Sequence, residues 1–202
     1  ENNKAVHLLS ITEILNYIAE AFKDSIISFG NINDWKEDGV FIPTENFQVS
    51  EHESSDELIR KNMFIAPLRK VMNREAVVTD ISTPLIDIVN LMNAKKQGVA
   101  VLTRYETELE GIITQKDILF KVLGKHDIQN EEIFVEDFMT KKPHCVLEQH
   151  VMAHAINNMA LYKYRNLVVV NKEGYPLSVI TLMDILNYIA DFLRHAIDVS
   201  ES

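Results

Sequence analysis

The strongest constraint on this chain is that it repeats itself. The run Gly111-Ile112-Ile113-Thr114-Gln115-Lys116-Asp117-Ile118-Leu119 returns as Ser178-Val179-Ile180-Thr181-Leu182-Met183-Asp184-Ile185-Leu186, 67 positions later. At that single offset the register holds without a gap: Met72 matches Met139, Asn90 matches Asn157, Met92 matches Met159, Val101 matches Val168 and Glu106 matches Glu173. Self-similarity at one fixed offset makes each copy a supersecondary unit that buries its apolar face against a neighbour.

The order within a copy follows from residue chemistry. Ala76-Val77-Val78-Thr79 reads as an extended lead-in. Thr83 is expected to cap a helix that has Pro84 at its first position and Leu85, Ile88, Val89 and Met92 as its apolar stripe. Val99 to Leu102 is a short continuous apolar run of the buried-strand type, Glu106 to Glu110 a turn, and Gly111 to Ile113 the partner strand. A second helix is expected from Thr114, carrying Ile118, Leu119, Val122 and Leu123. The unit is β-α-β-β-α. One such unit has too little core to be comfortable alone, and two packed face to face would supply it.

A third, partial copy precedes these two. Ile14 to Ala19 is identical to Ile185 to Ala190, and Ser10-Ile11-Thr12-Glu13 ahead of it has capping-box spacing. A short strand is expected over 5–9, and the chain is read as opening partway through that third copy. Residues 30–62, with Gly30, Pro43 and the acidic stretch from Glu51 to Glu57, read as a linker. Trp35, the only tryptophan, reads as a packing residue. The expected domains are therefore 1–29, a strand-helix fragment; 30–62, the linker; 63–130, the first full copy; and 131–202, the second.

The formal net charge is −10, with no arginine-rich stripe, which argues against nucleic acid as the main partner. A helix N-terminus can still attract a small anion locally. Cys145 is the only cysteine, so no intramolecular disulfide forms and no thiolate metal site is expected. No apolar run has the length of a membrane span and no signal-peptide pattern opens the chain, so a reducing, cytoplasmic setting is expected.

The tandem β-α-β-β-α order, the apolar-Met pair ahead of each lead-in (Val71-Met72 and Phe138-Met139) and the doubled G/S-h-h-T-x-x-D turn together resemble the CBS domain, named from cystathionine beta-synthase. The resemblance covers about residues 63–197. It implies an α+β fold of alternating elements, with two repeats packed as a pseudo-two-fold pair. It also implies a regulatory, non-catalytic module that holds an adenine nucleotide (AMP, ADP or ATP) or a related adenosyl ligand such as S-adenosylmethionine between the copies. The family's ligand residues, carried over position by position, imply ribose on Asp117 and Asp184 and phosphate at Thr114 and Thr181, with Lys116 beside the first. The lead-ins imply Val77 and His144 near the adenine, and the starts of the buried strands imply Val99, and Arg165 with Asn166. The second copy has Met183 in place of Lys116, and the partial copy has Ser10 and Glu13 in place of Thr and Asp, so the site at Thr114 and Asp117 is expected first, that at Thr181 and Asp184 second, and one at Ser10 and Glu13 last. A homodimer through the helices and a regulated partner are also implied.

Plainer readings stand beside these. Thr-x-x-Asp at a helix start is by itself a cap. His150 and His154 share a helix face, but by the repeat they fall at a cap and on a polar face, and two ligands do not make a zinc site; surface histidines are expected and no metal site. No nucleophile, base and acid arrangement can be assembled, so no enzyme is expected. The alternative to a nucleotide sensor is a structural dimerisation module with both turns merely capped.

Overall fold

The computed structural model describes residues 9–23, 62–128 and 132–200. The expected linker with Trp35, and residues 5–8 of the expected first strand, lie outside the described residues; Leu9 is exposed and not in a strand.

Both full copies form the expected elements. In the first, β1 (Val77–Asp80) lies parallel to β2 (Val99–Arg104), which pairs antiparallel with β3 (Glu108–Thr114). Helix α2 (Leu85–Lys95) connects β1 to β2. The short helix α3 (Gln115–Asp117) follows β3 and continues as a π-helical turn over Ile118–Val122. In the second, β5 (Cys145–Leu147) runs parallel to β6 (Asn166–Val170), with β7 (Pro176–Thr181) beside it. Helix α4 (Met152–Tyr162) connects β5 to β6, and α5 (Leu182–Ser200) closes the copy. A two-residue strand β4 (Thr140–Lys141) pairs with β3 at Gly111 and Ile112. The mixed α and β architecture expected from the sequence is present.

The described chain divides into two units that cut across the repeats. One contains residues 72–148 and 167–179. Its continuous apolar strands feed two cores, because successive side chains on a strand point to opposite faces. Val77, Ala100, Leu102 and Ile113 face α2 and pack with Leu85, Ile88 and Met92. Val99, Val101 and Ile112 face the other way, onto Val168, Val170 and Val179 of the second copy's sheet. The copies thus bury sheet on sheet.

The other unit contains residues within 1–71, 149–166 and 180–202. Helix α1 (Ile11–Ala21) packs there against α4 and α5, with Leu15 fully buried. Ser10 and Glu13 form the expected capping box: Ser10 N–H donates to Glu13 Oε2 at 2.6 Å and Glu13 N–H to Ser10 Oγ at 3.2 Å.

Two expectations fail, for one reason. Thr83 does not cap α2; its hydroxyl shares a hydrogen bond with Thr79 Oγ1, and the extended Pro84 stands at the N-cap with no side-chain bond. The Leu85 N–H goes instead to the Ile133 carbonyl at 2.8 Å. In the second copy Val151 stands at the N-cap, and the Met152 N–H goes to the Ala66 carbonyl, also at 2.8 Å. Pairs 85 with 133 and 152 with 66 exchange under the repeat offset of 67. The segment ahead of each copy therefore caps the other copy's first helix with main chain, and a side-chain cap is not needed. The same docking covers the start of α4, so His154 is 3% exposed and not on a polar surface.

Candidate functional site

The two repeated turns are built alike. At the first, Asp117 Oδ2 accepts from Thr114 N–H at 3.0 Å and from Thr114 Oγ1 at 2.6 Å, while Asp117 N–H returns to Thr114 Oγ1 at 3.2 Å. At the second, Asp184 Oδ2 accepts from Thr181 N–H at 2.7 Å and Thr181 Oγ1 at 2.6 Å, and Asp184 N–H returns at 3.3 Å. Both aspartates thus close capping boxes over the helix start.

Around the first turn the strand register gathers most of the expected residues. Val99 pairs with Thr114, and Val77 pairs with the next residue, Ala100. Val77 and Val99 therefore stand at the Thr114 end of the sheet, but with side chains on opposite faces, in different cores. Lys121, one helical turn past Asp117, holds Asp117 Oδ1 at 2.8 Å. Burial pushes the Asp117 carboxyl up, but Lys121 and the Thr114 bonds together outweigh it and hold the group below its ordinary value. The i,i+4 spacing of Asp117 and Lys121 was the sequence signal for this pair. Lys116 is exposed and turned along the helix, its Nζ 6.0 Å from the centre of the Phe120 ring. His144 is exposed between β4 and β5.

At the second turn there is an open cleft of about 380 Å³, lined by Ser10, Ile11, Thr12, Arg165, Thr181, Leu182 and Met183. Two helix starts, those of α1 and α5, share this space with Arg165. The Leu182 N–H is taken by the Arg165 carbonyl at 3.1 Å, while Met183, between the two bonded N–H groups of that turn, lines the cleft. Asn166, half-buried, begins β6 next to Arg165. Asp184 is 7% exposed and does not line the cleft. The partial copy thus supplies a wall through Ser10, the residue that departs from the Thr of the full copies. The cleft is polar at its helix ends and carries one cation, which suits a small anion. The Glu13 carboxylate, held below its ordinary value by the Ser10 bonds, is the opposing charge on that side.

Among the described residues no group of three or more histidine, cysteine, aspartate or glutamate side chains is arranged to hold a metal ion. Cys145 packs against the sheet-sheet core and donates to the Pro143 carbonyl at 3.3 Å; burial pushes its thiol up to about 11, so it is a poor nucleophile. No described helix is long and apolar enough to cross a membrane.

The CBS domain model matches residues 68–124 and 135–191. A CBS domain-containing protein of Arabidopsis thaliana is 33% identical over 117 residues, which is 58% of this chain and 20% of that protein. The chain spans about a fifth of the length of the Arabidopsis relatives it matches. A CBS domain protein from Pyrobaculum aerophilum, solved in complex with AMP, superposes with a TM-score of 0.54 at 22% identity, over 62% of this chain and 98% of that one. The CBS domain of a bacterial CNNM/CorC family Mg²⁺ transporter, solved in complex with ATP, superposes with a TM-score of 0.55 at 18% identity, over 66% of this chain and 93% of that one. At these identities the superpositions report a shared fold.

Proposed function

The chain belongs to the CBS domain family, with two copies in tandem, and on that footing we propose that it is a regulatory module that binds an adenine nucleotide and has no catalysis of its own. The observation that carries the proposal is the cleft in which two helix starts and Arg165 converge on the second turn. A phosphate placed there would meet the N-terminal ends of α1 and α5 and Arg165, and the Thr181 hydroxyl once its hydrogen turned from Asp184 Oδ2. The ribose diol is proposed to meet the Asp117 and Asp184 carboxylates; Asp117 already has both oxygens engaged, Oδ2 by Thr114 and Oδ1 by Lys121, and Asp184 lies outside the cleft lining, so both would have to share or shift contacts to take it. The first turn, with Thr114, Asp117, Lys116, Val77, Val99 and His144, is the second candidate position; Lys116 would have to turn from Phe120 to meet phosphate. That relatives of the same fold hold AMP or ATP supports the ligand class. S-adenosylmethionine shares the adenosyl part. Binding is proposed to alter association of the chain as a homodimer or with a regulated partner in the cytoplasm, the full copies spanning 63–130 and 131–202.

Titration calorimetry with AMP, ADP, ATP and S-adenosylmethionine tests this. The expected result is saturable heat with at least one of them, weakened about tenfold by Arg165→Ala, as befits loss of a charge-assisted contact. Silence from all four at about millimolar concentration rejects the proposal. The second reading, a structural dimerisation module, is favoured by the full engagement of Asp117 within the chain. It predicts a dimer whose melting none of the four ligands moves.

A further inference from the structure

The two repeated turns differ in what stands one helical turn past the aspartate. At the first, Lys121 Nζ lies 2.8 Å from Asp117 Oδ1 and donates to the Phe138 carbonyl at 2.6 Å. Two of the three ammonium donors are thereby spent on fixed partners. Thr114 N–H and Oγ1 both donate to Oδ2, so each Asp117 oxygen already has a donor from within the chain. The repeat offset of 67 puts Tyr188 in the place of Lys121 in the second copy. Burial pushes the Tyr188 hydroxyl up, so it stays a neutral phenol and offers Asp184 no positive charge.

The backbone differs at the same place. Helix α5 runs on from Leu182 to Ser200. The first copy instead widens after Asp117 into the π-helical turn over Ile118–Val122, closed by the Leu123 N–H on the Ile118 carbonyl at 3.0 Å, and the chain leaves through Gly124 at φ 78°. Lys121 stands inside that turn. From there its side chain joins Asp117 to Phe138, the residue that ends the short helical turn Val135–Asp137. An aspartate four residues ahead of a lysine is the favourable orientation for such a pair. The Asp117 side chain is 17% exposed, so water and salt weaken this pair less than they would one on the open surface.

We propose that Lys121 is a built-in competitor that keeps the first turn closed to nucleotide, leaving the second turn as the working position. This rests on reading the repeated turns as nucleotide positions, and it decides which of them is available. A ribose hydroxyl is a neutral donor, whereas the ammonium is charged, and charge-assisted hydrogen bonds are roughly twice as strong. The ammonium is also tethered beside the carboxylate, so a diol must displace a partner held at high effective concentration. At the second turn the cation is Arg165, which lines the cleft.

Calorimetric titration of the full chain with AMP and with ATP reads the number of sites. The parent is expected to show a single binding event and Lys121→Met a second one, lost again when Asp117→Asn is added. Removing a cation by itself weakens the attraction for an anion, so a gained site reports the released carboxylate. Lys125→Met is the control: the Lys125 ammonium donates to the Phe120 carbonyl at 2.9 Å, and its loss removes the same charge but should add no site. Both lysines are exposed, and circular dichroism should show the fold retained. A single event in parent and Lys121→Met alike, two events already in the parent, or a gain shared by Lys125→Met overturns the proposal and leaves the nucleotide reading standing. Binding weakened by Lys121→Met also overturns it, and makes Lys121 a contact for phosphate. Silence from the parent and every variant overturns both. A site that appears in Lys121→Met over a silent parent supports closure of the first turn and overturns the reading of the second.

Discussion

Repetition isolates the effect of single residues, because each has a natural counterpart. Gly111 and Ser178 hold the same place. A Cβ on Gly111 would come 2.6 Å from Met139 Sδ and 2.9 Å from the Thr140 carbonyl, because β4 and the residue before it pair closely alongside β3 there. Ser178 has room, and its hydroxyl donates to the Arg74 carbonyl at 2.8 Å. Gly111→Ala should therefore cost about 1–3 kcal/mol by overpacking, and Ser178→Gly about 1 kcal/mol for the lost hydrogen bond, both read by urea unfolding. A neutral Gly111→Ala would show that Met139 and the β4 backbone give way. Pro143 tells a similar story. Its counterpart Ala76 donates to the Leu177 carbonyl, and since Pro143 has no N–H, Lys142 makes the equivalent bond to Glu110 from a left-handed conformation (φ 47°).

Helix starts divide into two kinds at the scale of elements. Those after β3 and β7 are capped by Thr-x-x-Asp boxes, and those of α2 and α4 by carbonyls from segments distant in sequence. Replacing Thr114 by Val should cost about 0.5–2 kcal/mol, while Thr83→Val should leave the cap of α2 untouched, because no cap bond starts there. The first turn also carries a pH signature. The folded-state pKa of Asp117 is lowered, so its contribution to stability is present above the unfolded value of about 3.9 and is lost as pH falls through the lower folded value. Asp117→Asn should accordingly be less stable than the parent at neutral pH, with the gap closing below about pH 4. A gap constant across that range would show that Lys121 and Thr114 do not favour the ionised form.

At the largest scale, the contact that joins the two copies within the unit of residues 72–148 and 167–179 is sheet on sheet. Val101 and Val168 are repeat counterparts, both fully buried in one core shared by the two copies. Val101→Ala and Val168→Ala should each cost about 2 kcal/mol, and the double variant should depart from the sum by about 0.5 kcal/mol or more, because neighbouring cavities relax together. Strict additivity would mean that the two sites do not share a packing neighbourhood.

What the sequence determined was everything that is periodic or local: the doubled β-α-β-β-α order, the two-faced strands, the capping boxes at Ser10, Thr114 and Thr181, and the family resemblance that these carry. Tertiary structure decided which surfaces those elements meet. The hexapeptide Ile14 to Ala19 and its identical twin Ile185 to Ala190 make the point. In α1 it is Leu15 that is 1% exposed, while Tyr17 is 74% exposed; in α5 it is Ile185 and Ile189 that are buried, with Leu186 and Tyr188 half-buried. The same side chains at the same spacing turn different faces inward, because burial depends on the neighbouring elements and not on the helix itself. For the same reason the caps of α2 and α4, the burial of His154 and the cleft that joins Ser10 to Arg165 and Thr181 were not legible in the chain. Each depends on a partner more than 45 positions away, and chain closure over that distance leaves no local pattern to read.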